Sequence, residues 1–250
     1  MRRQVITLLT AAVFSVGISQ IASAADLPTK APIVKAPVVA AFSWAGWYVG
    51  LNAGYAWGRS TETDVTGYNL AGSTISYNAN GFQGGAHGGF NWQTNQFVYG
   101  IEAEVGYLGL KGSQQYGPFI GVRSAADSVA STSDGAFALL AARIGVASDN
   151  WLWFLKGGGL ITGIKNSFTD TDPAGTTLVS GTSTSNRNGW TVGAGVEYAF
   201  NPNWAGRLEY AHYDFGNAGH TATSSGGGLF NFNHSLRADS VRVGITYLVR

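Results

Sequence analysis

Read two residues at a time, the chain separates into an oily face and a face that is polar or very small. Trp47, Val49, Leu51, Ala53, Tyr55 and Trp57 alternate with Tyr48, Gly50, Asn52, Gly54, Ala56 and Gly58. A period of two belongs to a β-strand, whose successive side chains point to opposite faces. A tilted strand of about 9–11 residues crosses a bilayer, and this run carries an indole at each end. A sheet built from such strands is oily on the whole of one side, so its natural surroundings on that side are hydrocarbon.

The first residues suggest how the chain reaches a membrane. Arg2 and Arg3 precede a mostly apolar run, Val5 to Ile21, and Ala22-Ser23-Ala24 has the small-x-small form of a cleavage site. That is the pattern of a secretory signal peptide over residues 1–24, and its unbroken apolar part is too short to span. Removing Arg2 and Arg3 takes the 15 Lys and Arg to 13, against 14 Asp and Glu, so the mature chain is nearly neutral. A polyanion-binding role therefore has no electrostatic support. The sequence holds no cysteine, which excludes a disulfide framework in an exported protein. Downstream of the signal no segment has the roughly 18 consecutive apolar residues of a membrane helix. A closed barrel is the remaining way to cross, because every backbone N–H and C=O then pairs with a neighbouring strand.

Residues 25–43 contain Pro28, Pro32 and Pro37 and read as an extended lead-in on the periplasmic side. From Trp44 to Arg250 the pattern predicts one barrel of eight strands: Trp44–Arg59, Gly81–Gln93, Phe97–Leu110, Ala136–Ala147, Trp151–Thr162, Asn188–Phe200, Trp204–Phe215 and Ser240–Val249. Gln93–Gln96, Ser148–Asn150 and Asn201–Asn203 are tight turns built from turn-forming residues. The connectors Ser60–Asn80, Lys111–Asp134, Gly163–Arg187 and Gly216–Leu236 are each about 20 residues or longer, rich in Ser, Thr, Gly and Asn, and are expected to be loops. Short turns at one end, long loops at the other and an even strand number are the layout of an outer-membrane barrel.

Eight charges lie within the expected membrane strands: Glu102, Glu104, Arg143, Lys156, Glu197, Arg207, Glu209 and Arg242. Each takes the parity opposite to the oily residues of its strand. A Lys or Arg facing lipid costs about 2–4 kcal/mol at the midplane. Four such placements would remove most of a stability of roughly 5–15 kcal/mol. All eight are therefore expected inside, where an eight-stranded barrel is just wide enough for side chains to fill. Four carboxylates and four cations confined there must pair, since an unpaired buried charge costs several kcal/mol. A plugged interior held by ion pairs and by Asn, Gln and Thr hydrogen bonds follows. The alternative is a narrow ion pathway through the charged lumen. Glycines such as Gly50, Gly89, Gly158 and Gly195 have inward parity and leave room for these long side chains.

Aromatic residues gather at the expected strand ends: Trp44, Trp47, Trp57, Trp92, Phe97, Trp151, Trp153, Phe200 and Trp204. Rings with an oily body and a polar edge suit the two headgroup zones and form an aromatic girdle. Nucleic-acid stacking would need a basic groove beside them. Asp170-Thr171-Asp172 with Gly175 resembles the start of a calcium loop, but Ala174 and Gly181 stand where ligands are required, so an ordinary polar loop is expected. His212, Asp214, His234 and Ser235 lie near the expected outer rim. His234 and Ser235 are adjacent and point to opposite faces of a strand, and pairing of His212 with Ser235 or Ser240 has no further support. No enzyme, cofactor or metal is expected.

Several segments together resemble a known family. They are Ala25-Asp-Leu-Pro28, Trp44-Ala-Gly-Trp-Tyr-Val-Gly-Leu-Asn-Ala-Gly54, Gly195-Val-Glu-Tyr-Ala-Phe-Asn-Pro-Asn-Trp204, Arg207-Leu-Glu-Tyr210 and Asp214-Phe-Gly216. In these the mature chain is similar to the alphaproteobacterial outer-membrane β-barrel proteins of the RopB and outer-membrane immunogenic type. The resemblance implies an OmpA-like eight-stranded domain, abundant in the outer membrane. Members are regarded as envelope-stabilising surface proteins and antigens; some bind haemin or host surfaces, and many are called porins without a demonstrated pore. Such members usually end in an aromatic residue read by the barrel-assembly machinery. This chain ends Tyr247-Leu-Val-Arg250, which leaves Tyr247 as the nearest aromatic.

The fold expected is thus all-β: an eight-stranded antiparallel up-and-down transmembrane β-barrel in the bacterial outer membrane, with both termini in the periplasm. The expected role is structural and surface-presenting, with a small diffusion channel or a loop-borne binding surface as alternatives. Expected partners are outer-membrane lipid, lipopolysaccharide and the assembly machinery, with no nucleic acid, and the chain is expected to be a monomer. A soluble lipocalin-like barrel would need the inverse pattern, oily within and polar outside.

Overall fold

The computed structural model describes residues 42–68, 70–115, 129–171 and 177–250. The expected signal peptide, most of the proline-containing lead-in and the Asp172–Gly175 part of the calcium-like stretch lie outside these residues. Nine strand segments make one antiparallel sheet: β1 (Gly46–Asp64), β2 (Thr74–Thr94), β3 (Phe97–Leu108), β4 (Lys111–Gln115), β5 (Val129–Ser148), β6 (Trp151–Thr171), β7 (Thr177–Ala199), β8 (Trp204–Ser224) and β9 (Leu229–Val249). β1 pairs with both β2 and β9, which closes the sheet on itself. β4 resumes the line of β3 after a break at Gly109 and Leu110, and pairs with the same neighbours, β2 and β5. The ring therefore has eight staves; its ladders are continuous through the expected membrane segments, whereas the β7–β8 ladder is interrupted between the pairs Ser180–Thr223 and Trp190–Asp214.

Three short connections close one end. Asn95 and Asp149 adopt positive φ (53° and 50°) in the β2–β3 and β5–β6 turns, a conformation that Asn and Asp tolerate better than most residues. Between β7 and β8 the side-chain oxygen of Asn201 accepts hydrogen bonds from the backbone N–H of Asn203 and Trp204, both 2.9 Å.

At the other end the strands run well past the expected membrane segments. β1 continues to Asp64 and β2 begins at Thr74; β6 reaches Thr171 and β7 begins at Thr177; β8 reaches Ser224 and β9 begins at Leu229. The expected loops Ser60–Asn80, Gly163–Arg187 and Gly216–Leu236 are thus mostly ladder. Part of Lys111–Asp134 is ladder as well, in β4 and at the start of β5. The physical reason is an inversion of polarity. Within the band, β9 sends Val241, Val243 and Ile245 outward and Arg242 inward. Above it, Phe232 and Leu236 turn inward while Asn233 and Arg237 face out. β6 makes the same change, with Ile164 and Phe168 inside and Lys165 outside. The period stays at two, but water replaces lipid outside the wall, and the lumen becomes the place for apolar side chains.

The interior is layered along the barrel axis. At the short-turn end lies an apolar cluster of Trp44, Tyr48, Val98, Leu152 and Leu248. Farther along the strands come the eight charges, then a larger cluster containing Leu108, Leu110, Phe137, Leu139, Leu160, Tyr213, Phe215 and Leu236. Next is a polar layer with Ser60, Glu62, Arg187, His220 and His234, and near the far rim an aromatic cluster built on Tyr77, Phe168 and Phe232. Trp44 is a correction: expected in the outer girdle, it is 1% exposed and packs inside. Its even number shares the parity of Tyr48, which is inward. The interior is not polar throughout, since apolar clusters flank the charges on both sides.

Candidate functional site

β3 supplies the centre of the charged layer. Glu102 and Glu104 are two residues apart on one strand and so share the inner face. Lys156 on β6 places its Nζ 2.8 Å from Glu102 Oε1, 2.9 Å from Glu209 Oε1 and 3.4 Å from Glu104 Oε2. Arg207 on β8 meets Glu102 with both terminal nitrogens, at 2.8 and 3.0 Å, the fork geometry in which guanidinium binds carboxylate best. Arg143 on β5 donates to Glu197 at 2.9 Å and lies 3.5 Å from Glu102. Arg242 on β9 joins Glu104 to Glu209. Each of the four carboxylates therefore touches at least two cations, and Glu102 and Glu209 each touch three. Arg143 and Lys156 are direct cross-strand partners of like charge. Both reach Glu102, which neutralises a contact that would otherwise be repulsive.

Neutral groups complete the layer. The hydroxyl of Tyr48 donates to Glu102 at 3.0 Å, and the amide of Asn52 donates to Glu104 at 3.0 Å. Phe154 lies beneath two guanidinium groups, 4.3 Å from Arg143 and 4.7 Å from Arg207. A Cβ at Gly195 would stand 2.5 Å from the Phe154 ring, and one at Gly89 would stand 2.6 Å from the Tyr48 hydroxyl. Glycine is what admits these two rings to a narrow lumen. With all eight charges buried, the layer can hold charge in balance; it offers no open coordination site and no accessible nucleophile.

Of the polar layer beyond it the sequence singles out His234 alone, because Ser60, Glu62, Arg187 and His220 fall in stretches that read as loops. Ser60 Oγ is in hydrogen-bond contact with His234 Nε2, and His234 Nδ1 lies 3.5 Å from Glu62 Oε2. Hydroxyl, imidazole and carboxylate in that order form the pattern of an activated serine. All three are fully buried, however, so the pattern is a packed polar chain inside the wall. Arg187 donates to the His234 carbonyl at 3.1 Å. His212, by contrast, faces outward and pairs with Asp239 at 2.8 Å, and neither Ser235 nor Ser240 is its cross-strand neighbour. Asp170 lies in β6, not in a loop, and accepts from the Tyr68 hydroxyl.

His220 carries a pH prediction. It stacks on Phe232, with ring centroids 5.4 Å apart, beyond the membrane band. Burial lowers its pKa below the ordinary 6.5; His234 and Arg187 push the same way, and Glu62 opposes them. The unfolded chain therefore binds a proton first as the pH falls through 6.5, and stability is lost from there down to the lower folded pKa. Thermal unfolding in detergent at about pH 5 should come at a lower temperature than at about pH 7.5. His220→Gln should reduce that difference, and an unchanged difference would show that His220 does not contribute to it.

On the outside, Trp47, Trp57, Trp92, Phe97, Trp153, Phe200 and Trp204 are all exposed. Trp57 stands at the far end of the band, and the others stand at the short-turn end. From Trp47 to Trp57 the wall rises about 25 Å, for ten steps of about 3.3 Å on a strand tilted by roughly 40°. That is the height of the apolar band of an outer-membrane barrel. The family model for the outer membrane protein β-barrel domain matches residues 30–247. The chain belongs to the outer-membrane β-barrel protein family. It is 34% identical over 202 residues to the 31 kDa outer-membrane immunogenic protein of Brucella melitensis, covering 78% of this chain and 79% of that one. It is 30% identical over 233 residues to the 25 kDa outer-membrane immunogenic protein of Brucella abortus, covering 92% and 91%. The crystal structure of the outer membrane protein OprG from Pseudomonas aeruginosa is similar in fold alone: TM-score 0.55, 10% sequence identity, and coverage of 82% of this chain and 97% of that one. As an outer-membrane β-barrel protein, the chain places its exposed oily wall against lipid.

Proposed function

We propose that this protein is a non-conducting structural element of the outer membrane that stabilises the envelope and presents its far rim at the cell surface, without enzymatic activity. The observation that carries this reading is the layering of the interior, where the eight paired charges lie between two apolar clusters. An ion following the lumen would have to shed water beside Leu108, Phe137 and Leu160, and that costs far more than a charged wall returns. The names of the two Brucella relatives, immunogenic proteins of the outer membrane, agree with surface presentation. The partners in this reading are outer-membrane lipid and lipopolysaccharide around the wall and the assembly machinery during insertion, with a single chain as the unit.

The test is conductance across a planar bilayer holding the refolded protein. No steady unit current is expected. Steady openings whose selectivity changes in Glu102→Gln or Arg143→Gln would overturn the closed lumen and establish the narrow ion pathway.

A further inference from the structure

The wall carries an unexplained juxtaposition just above the apolar band. In the ladder between β1 and β9, Arg59 and Arg237 are direct partners, and both side chains face outward. The row they belong to crosses four strands: Asn78 on β2, Arg59 on β1, Arg237 on β9 and Asp214 on β8. Arg237 Nε is 2.9 Å from Asp214 Oδ2, yet 69% of its side chain is exposed. Among the described residues no carboxylate pairs with Arg59. The row below contains Asn80, Trp57, Asp239 and His212. Its one carboxylate is already held by the Tyr210 hydroxyl at 2.5 Å and by His212 at 2.8 Å.

Two like charges directly opposite in a ladder destabilise it, so this row is one cation in excess with an amide donor at its edge. Trp57, one row below, marks the headgroup zone. Two further residues of tilted strand put the guanidinium groups about 5 Å above it, at the height of headgroup phosphates. We propose that Arg59 and Arg237, flanked by Asn78, bind the phosphate of an outer-leaflet lipid headgroup. Guanidinium is the side chain best matched to a phosphate, which it can grip with two nitrogens at once. A further outward cation, Lys111 on β4, faces Asn80 at the edge of the row below, whereas Lys165 on β6 stands across the ring from the β1–β9 seam. The proposal rests on the reading of the chain as a lipid-embedded structural barrel and names the lipid chemistry that one face of it holds.

The test titrates the folded, detergent-solubilised full chain with bisphosphorylated lipid A, counting bound lipid by native mass spectrometry. Arg59→Gln with Arg237→Gln should weaken binding by about tenfold or more, given the usual contribution of a surface arginine at an anionic leaflet. Lys165→Gln should leave it unchanged, and dephosphorylated lipid A should bind the wild type as weakly as the double variant. All these side chains are exposed, and a preserved shift between boiled and unboiled gel samples confirms folding. Unchanged affinity in the double variant, or undiminished binding of the dephosphorylated lipid, overturns the site. Displacement by inorganic phosphate at equal concentration overturns the lipid as occupant. Bilayer conductance of the same double variant separates the two readings: a conducting barrel defeats the closed lumen and leaves the lipid site standing, and the converse also holds.

Discussion

Glu102→Gln is expected to lower the free energy of unfolding by about 3–5 kcal/mol, the cost of leaving buried charge uncompensated. Glu102 touches Lys156 and Arg207 at 2.8 Å, Arg143 at 3.5 Å and the Tyr48 hydroxyl at 3.0 Å. The amide keeps the shape of the side chain but removes the charge that three cations share. It also brings Arg143 and Lys156, opposed across the β5–β6 ladder, into open repulsion. Urea unfolding from lipid vesicles, followed by tryptophan emission, measures the loss. A second variant isolates the charge: Glu102→Gln with Lys156→Met restores neutrality and should recover most of the stability, because the two sites are directly coupled. Arg237→Gln, which breaks the exposed pair with Asp214, should cost about 1 kcal/mol or less in the same assay. A Glu102→Gln barrel within about 1 kcal/mol of the wild type would mean that the layer does not act as a shared network.

What could be read in the residues, and what could not, follows from how the solvent changes along each strand. Inside the band, lipid imposes one rule on the outward face. Parity alone then separates Leu51 from Asn52 and Ile101 from Glu102, and the side chains of the eight charges do lie inward. The eight-stave ring and the turns at Asn95, Asp149 and Asn201 carry equally local signals. Parity does not say which cation meets which carboxylate. Arg207 and Glu102 lie 105 residues apart in sequence and meet only because the ring curves. Above the band the rule inverts, and Phe168 and Phe232 turn inward among Ser, Thr and Asn that belong to an ordinary loop vocabulary. Searching for oily outward faces therefore ends the strands too early and overlooks the layer that joins His234 to Ser60, Glu62 and His220. Trp44 shows a smaller failure: composition drew it to the girdle, although its even number already placed it with Tyr48.

Ile101→Arg is expected to cost about 2–4 kcal/mol, whereas Trp57→Arg, at the edge of the band, should cost only about 0–1 kcal/mol from the charge itself. Both residues face outward, Ile101 50% and Trp57 40% exposed. If water covered this wall, an arginine at either position would be tolerated or even favoured, because it would replace an exposed apolar side chain. Hydrocarbon instead charges a penalty that peaks where the guanidinium is farthest from either headgroup zone. Ile101 stands near the middle of its strand, between Phe97 at the short-turn end and Tyr107 above, so its arginine has the longest way to reach water. Leu51, central between Trp47 and Trp57 on β1, should behave like Ile101. Unfolding from vesicles across the series Trp57, Leu51 and Ile101, each changed to Arg, should therefore rise in cost toward the centre of the band. A cost that stayed flat along the series would place the oily wall against something other than a bilayer.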